Sequence, residues 1–184
     1  MKILLSGGGT AGSIMPLIAL KEGLSKKSWQ TDFLLIGTKN GPERELCQYY
    51  GIPFRPINTG KFRRYFSINN FIDPFKIISG YFEAKKILKV FDPDIVVSAG
   101  GFVAVPVSRA AYKLKIPVVI HQQDVIKGLA NRLIEKYADL ITVNFETSRK
   151  DFNAKKTRAI GNPIRPDIIK GDAETARQIF NLNT

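Results

Sequence analysis

The chain reads as an α/β protein built on a doubly wound, mostly parallel sheet. Three observations predict this. Short apolar runs alternate with segments of helical period. The runs are rich in Ile, Val and Leu without strict polar alternation, as in strands buried on both faces. Glycine clusters fall where a strand hands over to a helix, as at Gly7-Gly8-Gly9 and Gly100-Gly101. The length of 184 residues suits a single domain, which usually runs to roughly 100–200 residues.

Strands are expected at Lys2–Ser6, Asp32–Gly37, Phe54–Asn58, Asp94–Ser98, Pro117–His121, Leu140–Asn144 and Arg158–Ile160. Between them the helical periods predict Ser13–Lys27, Pro42–Tyr50, Pro74–Phe91, Val103–Leu114, Lys127–Tyr137 and Glu146–Phe152. Ser13 is the expected cap of the first helix, with Pro16 tolerated in its first turn. Asp73-Pro74 predicts the third helix start, Asp as N-cap and Pro at the first position. Its stripe Ile77, Tyr81, Ala84, Leu88 and Phe91 has core spacing. Gly161-Asn162-Pro163-Ile164-Arg165-Pro166 ends the pattern, and Asp172–Asn181 is helical again. The expected division is a domain over 1–163 and a linker with the start of an absent second domain over 164–184.

Composition excludes several classes. Cys47 is the sole cysteine, so no internal disulfide forms, and His121 is the sole histidine, so a Cys/His zinc site lacks ligands. The apolar opening at Met1–Ser6 runs straight into glycines, which is a strand and not a signal peptide. No apolar run approaches the roughly 18 residues of a membrane span. The excess of 28 Lys+Arg over 16 Asp+Glu gives a net charge of +12 and calls for an anionic partner.

Ligands of open α/β sheets bind outside the carboxyl ends of the strands. Three sequence sites fall there. Gly7–Gly12 follows the first strand and lets backbone N–H groups approach a phosphate or sugar. It also satisfies G-x-G-x-x-G. A dinucleotide, however, needs an acid at the end of the second strand, and Ile36-Gly37-Thr38-Lys39 has none. Ser98–Phe102 carries the second glycine pair. His121-Gln122-Gln123-Asp124 places four hydrogen-bonding side chains after a buried strand.

These motifs in order, with Gly161-Asn162-Pro163-Ile164-Arg165, resemble the N-terminal half of the MurG-type glycosyltransferases of family 28. The resemblance covers residue 1 to about residue 167. It implies a two-domain GT-B fold of which this chain is the Rossmann-like N-terminal half. The implied reaction moves N-acetylglucosamine from UDP-N-acetylglucosamine onto an undecaprenyl-pyrophosphate-linked muramoyl peptide, with no metal, as a step of peptidoglycan synthesis. The implied substrate-binding residues are Thr10, Ala11, Gly12, Gly100, Gly101, Phe102, Gln123, Asp124 and Arg165. Thr10 and Gly12 would face the interdomain cleft, Arg165 would reach toward the donor, and Gly100, Gly101 and Gln123 would line the acceptor side.

The departures bear on catalysis. Ser13 stands where the family has the histidine assigned as general base, and a hydroxyl does not titrate near neutrality. Ala11 replaces a glycine, Phe102 a tyrosine, and Gln122 and Asp124 the Glu and Asn of the third motif. The catalytic residue is therefore open, with Asp124 the titratable candidate. The family's donor domain would begin just past Thr184, so this polypeptide alone is expected to lack transferase activity. A separate donor-binding chain would complete it, as in the split N-acetylglucosaminyltransferase of the dolichol pathway.

Half of the charge excess falls in one segment. Arg55 to Lys89 holds eight basic residues against Asp73 and Glu83, interleaved with aromatics. Phe62, Arg63, Arg64, Phe71, Ile72, Phe75 and Lys76 form the expected membrane-binding set. Each basic residue near an anionic surface contributes about 1 kcal/mol. The expected location is the cytoplasmic face of the plasma membrane, held peripherally. Nucleic-acid motifs are missing, and no nucleic-acid partner is expected. Two alternatives stay open: an acceptor-side subunit of a split GT-B transferase with another lipid acceptor, and a non-catalytic lipid-binding scaffold.

Overall fold

The computed structural model describes residues 1–27, 29–60 and 69–182. The seven expected strands form, each within one residue of its predicted ends: β1 (Lys2–Ser6), β2 (Asp32–Thr38), β3 (Phe54–Ile57), β4 (Ile95–Ser98), β5 (Val118–Gln122), β6 (Leu140–Val143) and β7 (Thr157–Ala159). They make one sheet in the order β3-β2-β1-β4-β5-β6-β7. Every pairing is parallel, with Ile3 beside Phe33 on one flank and Ile95 on the other. The order reverses between β1 and β4, so the connections on either side leave in opposite directions and open a crevice at the strands' carboxyl ends.

Alternation along β1 divides the core. Ile3 and Leu5 pack with Ile14, Leu17 and Ile18 on one face. Leu4 packs with Ala84, Leu88, Val107 and Ile134 on the other. The first face is covered by α1 (Met15–Ser25) and α2 (Glu43–Tyr49). The second is covered by α3 (Asn69–Phe91), α4 (Ala104–Lys113) and α5 (Leu129–Ile134). Leu4, Leu5, Leu17, Leu88 and Ile120 are among the side chains wholly removed from water, each contributing about 1.5–3 kcal/mol by transfer. Two short helices follow β7: α6 (Pro166–Ile169), which packs against α1, and α7 (Ala173–Phe180). Asp172 caps α7 by accepting from the Glu174 and Thr175 backbone N–H groups, both at 3.2 Å.

Three local expectations are corrected. The helix around Pro74 starts at Asn69, so Asp73 is not its cap and Pro74 lies in the second turn. Ser13 does not cap α1. It closes a 3-10 turn (Ala11–Ser13), and Ile14 takes the cap position. The segments expected as Lys127–Tyr137 and Glu146–Phe152 are tighter. The first is α5 followed by a 3-10 turn at Glu135–Tyr137, and the second is 3-10 throughout at Glu146–Asp151.

Candidate functional site

The crevice at the switch point contains a cavity of about 420 Å³, within the range of small-molecule sites. The three expected loops build it. Gly8, Gly9, Thr10, Gly12 and Ser13 come from the β1 loop. Ala99, Gly100, Gly101 and Phe102 come from the β4 loop, and Gln122, Gln123 and Asp124 from β5 and the loop after it. Of the residues implied by resemblance, Thr10, Gly12, Gly100, Gly101, Phe102, Gln123 and Asp124 thus meet around one space. Ala11 is exposed on the same loop without lining the cavity. Arg165 stands apart: its guanidinium hydrogen-bonds the Tyr50 hydroxyl, lies 5.8 Å from that ring and pairs with Asp167 at 3.8 Å.

Close backbone approach explains the glycines. Gly100 and Gly101 have φ of +90° and +84°, which side chains rarely adopt. A Cβ on Gly101 would run into the Gly8 carbonyl, so the two glycine loops touch through bare backbone. The Gly100 N–H donates to Ser98 Oγ at 3.1 Å. Gln123 Nε2 donates to the Ala99 carbonyl at 3.3 Å and ties the third loop to the second.

His121 sits behind the cavity wall. Its Nδ1 lies 2.9 Å from Thr142 Oγ1 and its Nε2 3.1 Å from Asn162 Oδ1. Burial holds the imidazole below its ordinary range, partly offset by the Asn162 bond. His121 therefore links β5, β6 and the Gly161–Arg165 segment as a neutral ring. Asp124 is exposed on the rim, whereas the Ser13 hydroxyl donates to the Thr10 carbonyl at 3.0 Å.

Two cavity supports escape the sequence reading. Asn131 lines the cavity and is 95% buried; its Nδ2 donates to Gln122 Oε1 at 2.7 Å and to the His121 carbonyl at 3.3 Å. An asparagine in an amphipathic helix carries no sequence signal of this. The second is Glu43, fully buried in the first turn of α2. Its Oε1 accepts from the Gly9 N–H at 2.5 Å and from Thr38 Oγ1 at 3.0 Å. An acid therefore does stand at the end of β2, supplied by the following helix and turned inward. With its oxygens on protein donors it cannot hold a ribose, which argues against the dinucleotide reading on new grounds.

On α3, Phe75, Ile78 and Phe82 are 74, 55 and 63% exposed at a spacing of three and four residues, so they share one face. Beside them an apolar groove of about 280 Å³ runs between α3, α4 and α5, with Arg109 and Lys136 among its lining residues. Phe62, Arg63 and Arg64 lie outside the described residues, as do the side chains of Phe71 and Ile72; Lys76 is half-buried on α3. No helix among the described residues is long and apolar enough to cross a membrane.

An all-parallel sheet with glycine-walled loops over its switch point defines a Rossmann-like domain of the kind that GT-B glycosyltransferases pair in twos. The chain belongs to glycosyltransferase family 28: the family's N-terminal domain matches residues 3–143. It is 47% identical over 171 residues to a UDP-N-acetylglucosamine–N-acetylmuramyl-(pentapeptide) pyrophosphoryl-undecaprenol N-acetylglucosamine transferase from Lachnoclostridium phytofermentans, covering 93% of this chain and 48% of that one. The transferase of the same name from Clostridium perfringens is 43% identical over 181 residues, covering 98% and 50%. The crystal structure of Acinetobacter baumannii MurG superposes with a TM-score of 0.73 at 26% identity, over 94% of this chain and 47% of that one. A Methanocaldococcus jannaschii UDP-GlcNAc 2-epimerase shares the fold alone, with a TM-score of 0.68 at 19% identity, over 98% of this chain and 53% of that one. The chain spans about half the length of the curated relatives it matches.

Proposed function

We propose that this chain is the acceptor-binding half of a transferase that moves N-acetylglucosamine from its UDP-sugar to an undecaprenyl-pyrophosphate-linked muramoyl peptide. The observation that carries this is the cavity, where Thr10, Gly12, Gly100, Gly101, Phe102, Gln123 and Asp124, seven of the nine residues implied by the family, meet on three loops at one switch point. The proposed acceptor contacts are Thr10, Gly12, Gly100, Gly101, Phe102 and Gln123. Asp124 is proposed as general base, because it is a carboxylate on the cavity rim while the Ser13 hydroxyl donates inward. Arg165 serves the donor side, at a domain boundary we place at Pro163. The second domain supplies most of the UDP-N-acetylglucosamine site, within one longer chain or as a separate partner.

The lipid part of the acceptor follows from the neighbouring surface. Val105 and Pro106 in the first turn of α4 line the apolar groove, and Gly100–Phe102 just before that helix line the cavity. A head group in the cavity thus places its tail beside the exposed Phe75, Ile78 and Phe82. This face is proposed to rest on the cytoplasmic leaflet, with basic residues meeting anionic lipid. Ser13 at the family's histidine position favours a second reading, a lipid-binding scaffold without chemistry.

The test is transfer of labelled N-acetylglucosamine to the lipid acceptor by this chain alone and fused to the C-terminal half of the Clostridium perfringens relative. The fusion is expected to turn over, the chain alone is not, and Asp124→Asn lowers the fusion's rate by roughly 10²–10⁴-fold. Turnover by the chain alone would overturn the half-site reading. A folded fusion that binds acceptor without turnover would favour the scaffold.

A further inference from the structure

We infer that Glu43 is a positioning residue of the cavity: its carboxylate pins the Gly7–Gly12 loop in its open shape by holding the Gly9 N–H. The bond spans 34 residues of sequence, from the loop after β1 to the first turn of α2. Gly9 has φ of +88°, and a Cβ there would meet nothing within 4 Å, so no crowding on that side holds its conformation, whereas the carboxylate bonds its N–H directly. Two loops make room for it: a Cβ on Gly8, in the loop after β1, or on Gly41, between β2 and α2, would meet the Glu43 side chain. Thr38 holds the carboxylate from the far side, its Oγ1 at 3.0 and 3.2 Å from the two oxygens.

The arrangement has a chemical consequence. A glycine loop leading into a helix presents backbone N–H groups to an anion. Here the Gly9 N–H is already taken by an internal anion, so that donor is not offered to a ligand phosphate. Glu43 acts through the loop, touching no ligand itself. By holding the competent shape it raises apparent affinity by the factor that an unpinned loop would lose to closed forms.

The test uses Glu43→Gln, Glu43→Ala and Thr38→Val. Glutamine keeps an oxygen for the Gly9 N–H, alanine removes it, and Thr38→Val removes the support while leaving the pin. In the unliganded protein the Gly9 amide is expected to exchange with solvent hydrogen on the order of 10–100-fold faster in Glu43→Ala, and to stay protected in the other two. Inorganic pyrophosphate binding, followed through the Gly100 and Gly101 amide resonances, should weaken on the order of tenfold or more in Glu43→Ala. Glu43→Gln should bind as tightly as the unaltered protein or tighter, because it also removes a negative charge. Where Glu43→Ala does not fold, Glu43→Asp, one methylene too short to span the gap, replaces it. Unchanged Gly9 exchange in Glu43→Ala overturns the inference, as does a glutamine variant as impaired as alanine, or equal losses in Thr38→Val. The binding arm rests on the acceptor-site reading. If the unaltered protein binds no pyrophosphate, that reading is weakened while the exchange arm still decides the role of Glu43.

Discussion

Gly101→Ala perturbs the contact between the two glycine loops directly. Two costs add. Residue 101 has φ of +84°, where an L side chain costs roughly 1–2 kcal/mol. The added methyl also meets the Gly8 backbone, with the Gly8 nitrogen at 3.1 Å and the carbonyl oxygen closer still. Forcing a methyl into packed structure costs typically 1–3 kcal/mol, and a backbone neighbour cannot rotate away. Gly9→Ala is the matched control: φ is +88° but the methyl meets nothing within 4 Å, so it bears the conformational cost alone. The difference between the variants is therefore about 2 kcal/mol. For a chain of this size each kcal/mol shifts Tm by roughly 2–4 °C, so Gly101→Ala should melt about 4–8 °C below Gly9→Ala. Scanning calorimetry of the two variants side by side measures this. Equal midpoints would show that the loops part freely, and the cavity would then have no fixed wall.

Other perturbations have equally definite outcomes. Burial lowers the His121 pKa from 6.5, so above that pH neither state gains a proton, while below it the unfolded chain takes up a proton that the folded one resists. Stability should thus fall as pH drops below 6.5, and His121→Gln should flatten that slope in urea titrations. Burial, and then the Glu43 carboxylate, push the Cys47 thiol up to about 11, so a thiol reagent at neutral pH should label it only as fast as the fold opens. Labelling of the native protein at the rate of a free thiol would contradict that burial. Leu88→Ala, at a position with no solvent exposure, should cost about 2–5 kcal/mol in chemical denaturation. Phe75→Ser with Phe82→Ser should weaken co-sedimentation with anionic liposomes while leaving Tm nearly unchanged, because both rings face solvent; binding unaffected by the pair would remove α3 from the membrane face.

The strands were legible because a strand buried on both faces must be apolar throughout, and runs such as Ile95-Val96-Val97 leave little else to read. The cavity loops were legible for the opposite reason: Gly100 and Gly101 occupy backbone conformations that few other residues accept. Glu43 was not, since an acid in a first helical turn usually serves the helix dipole in solvent, and nothing local distinguishes one folded inward onto Gly9. The start of α3 is hidden because Asp-Pro is a good opening signal that a longer helix can overrun. Phe82 shows what periodicity does reach. It lies one residue off the stripe of Tyr81, Ala84 and Leu88 that the helical spacing marks as core, and in the structure that stripe is packed while Phe82 faces solvent.

The sheet order also sets a timetable for synthesis. β1 lies inside the sheet, third from one edge, but one of its two neighbours, β4, lies about ninety residues later in the chain, with Ile3 beside Ile95. β2 is complete at Thr38 and β4 at Ser98, about sixty residues later; at roughly 5–20 residues per second the growing polypeptide carries β1 half-paired for about 3–12 s. During that interval Ile3, Leu4 and Leu5 have a partner in β2 on one flank and open hydrogen-bonding groups on the other. A nascent-chain chaperone that shields this one edge would protect the whole domain until β4 arrives.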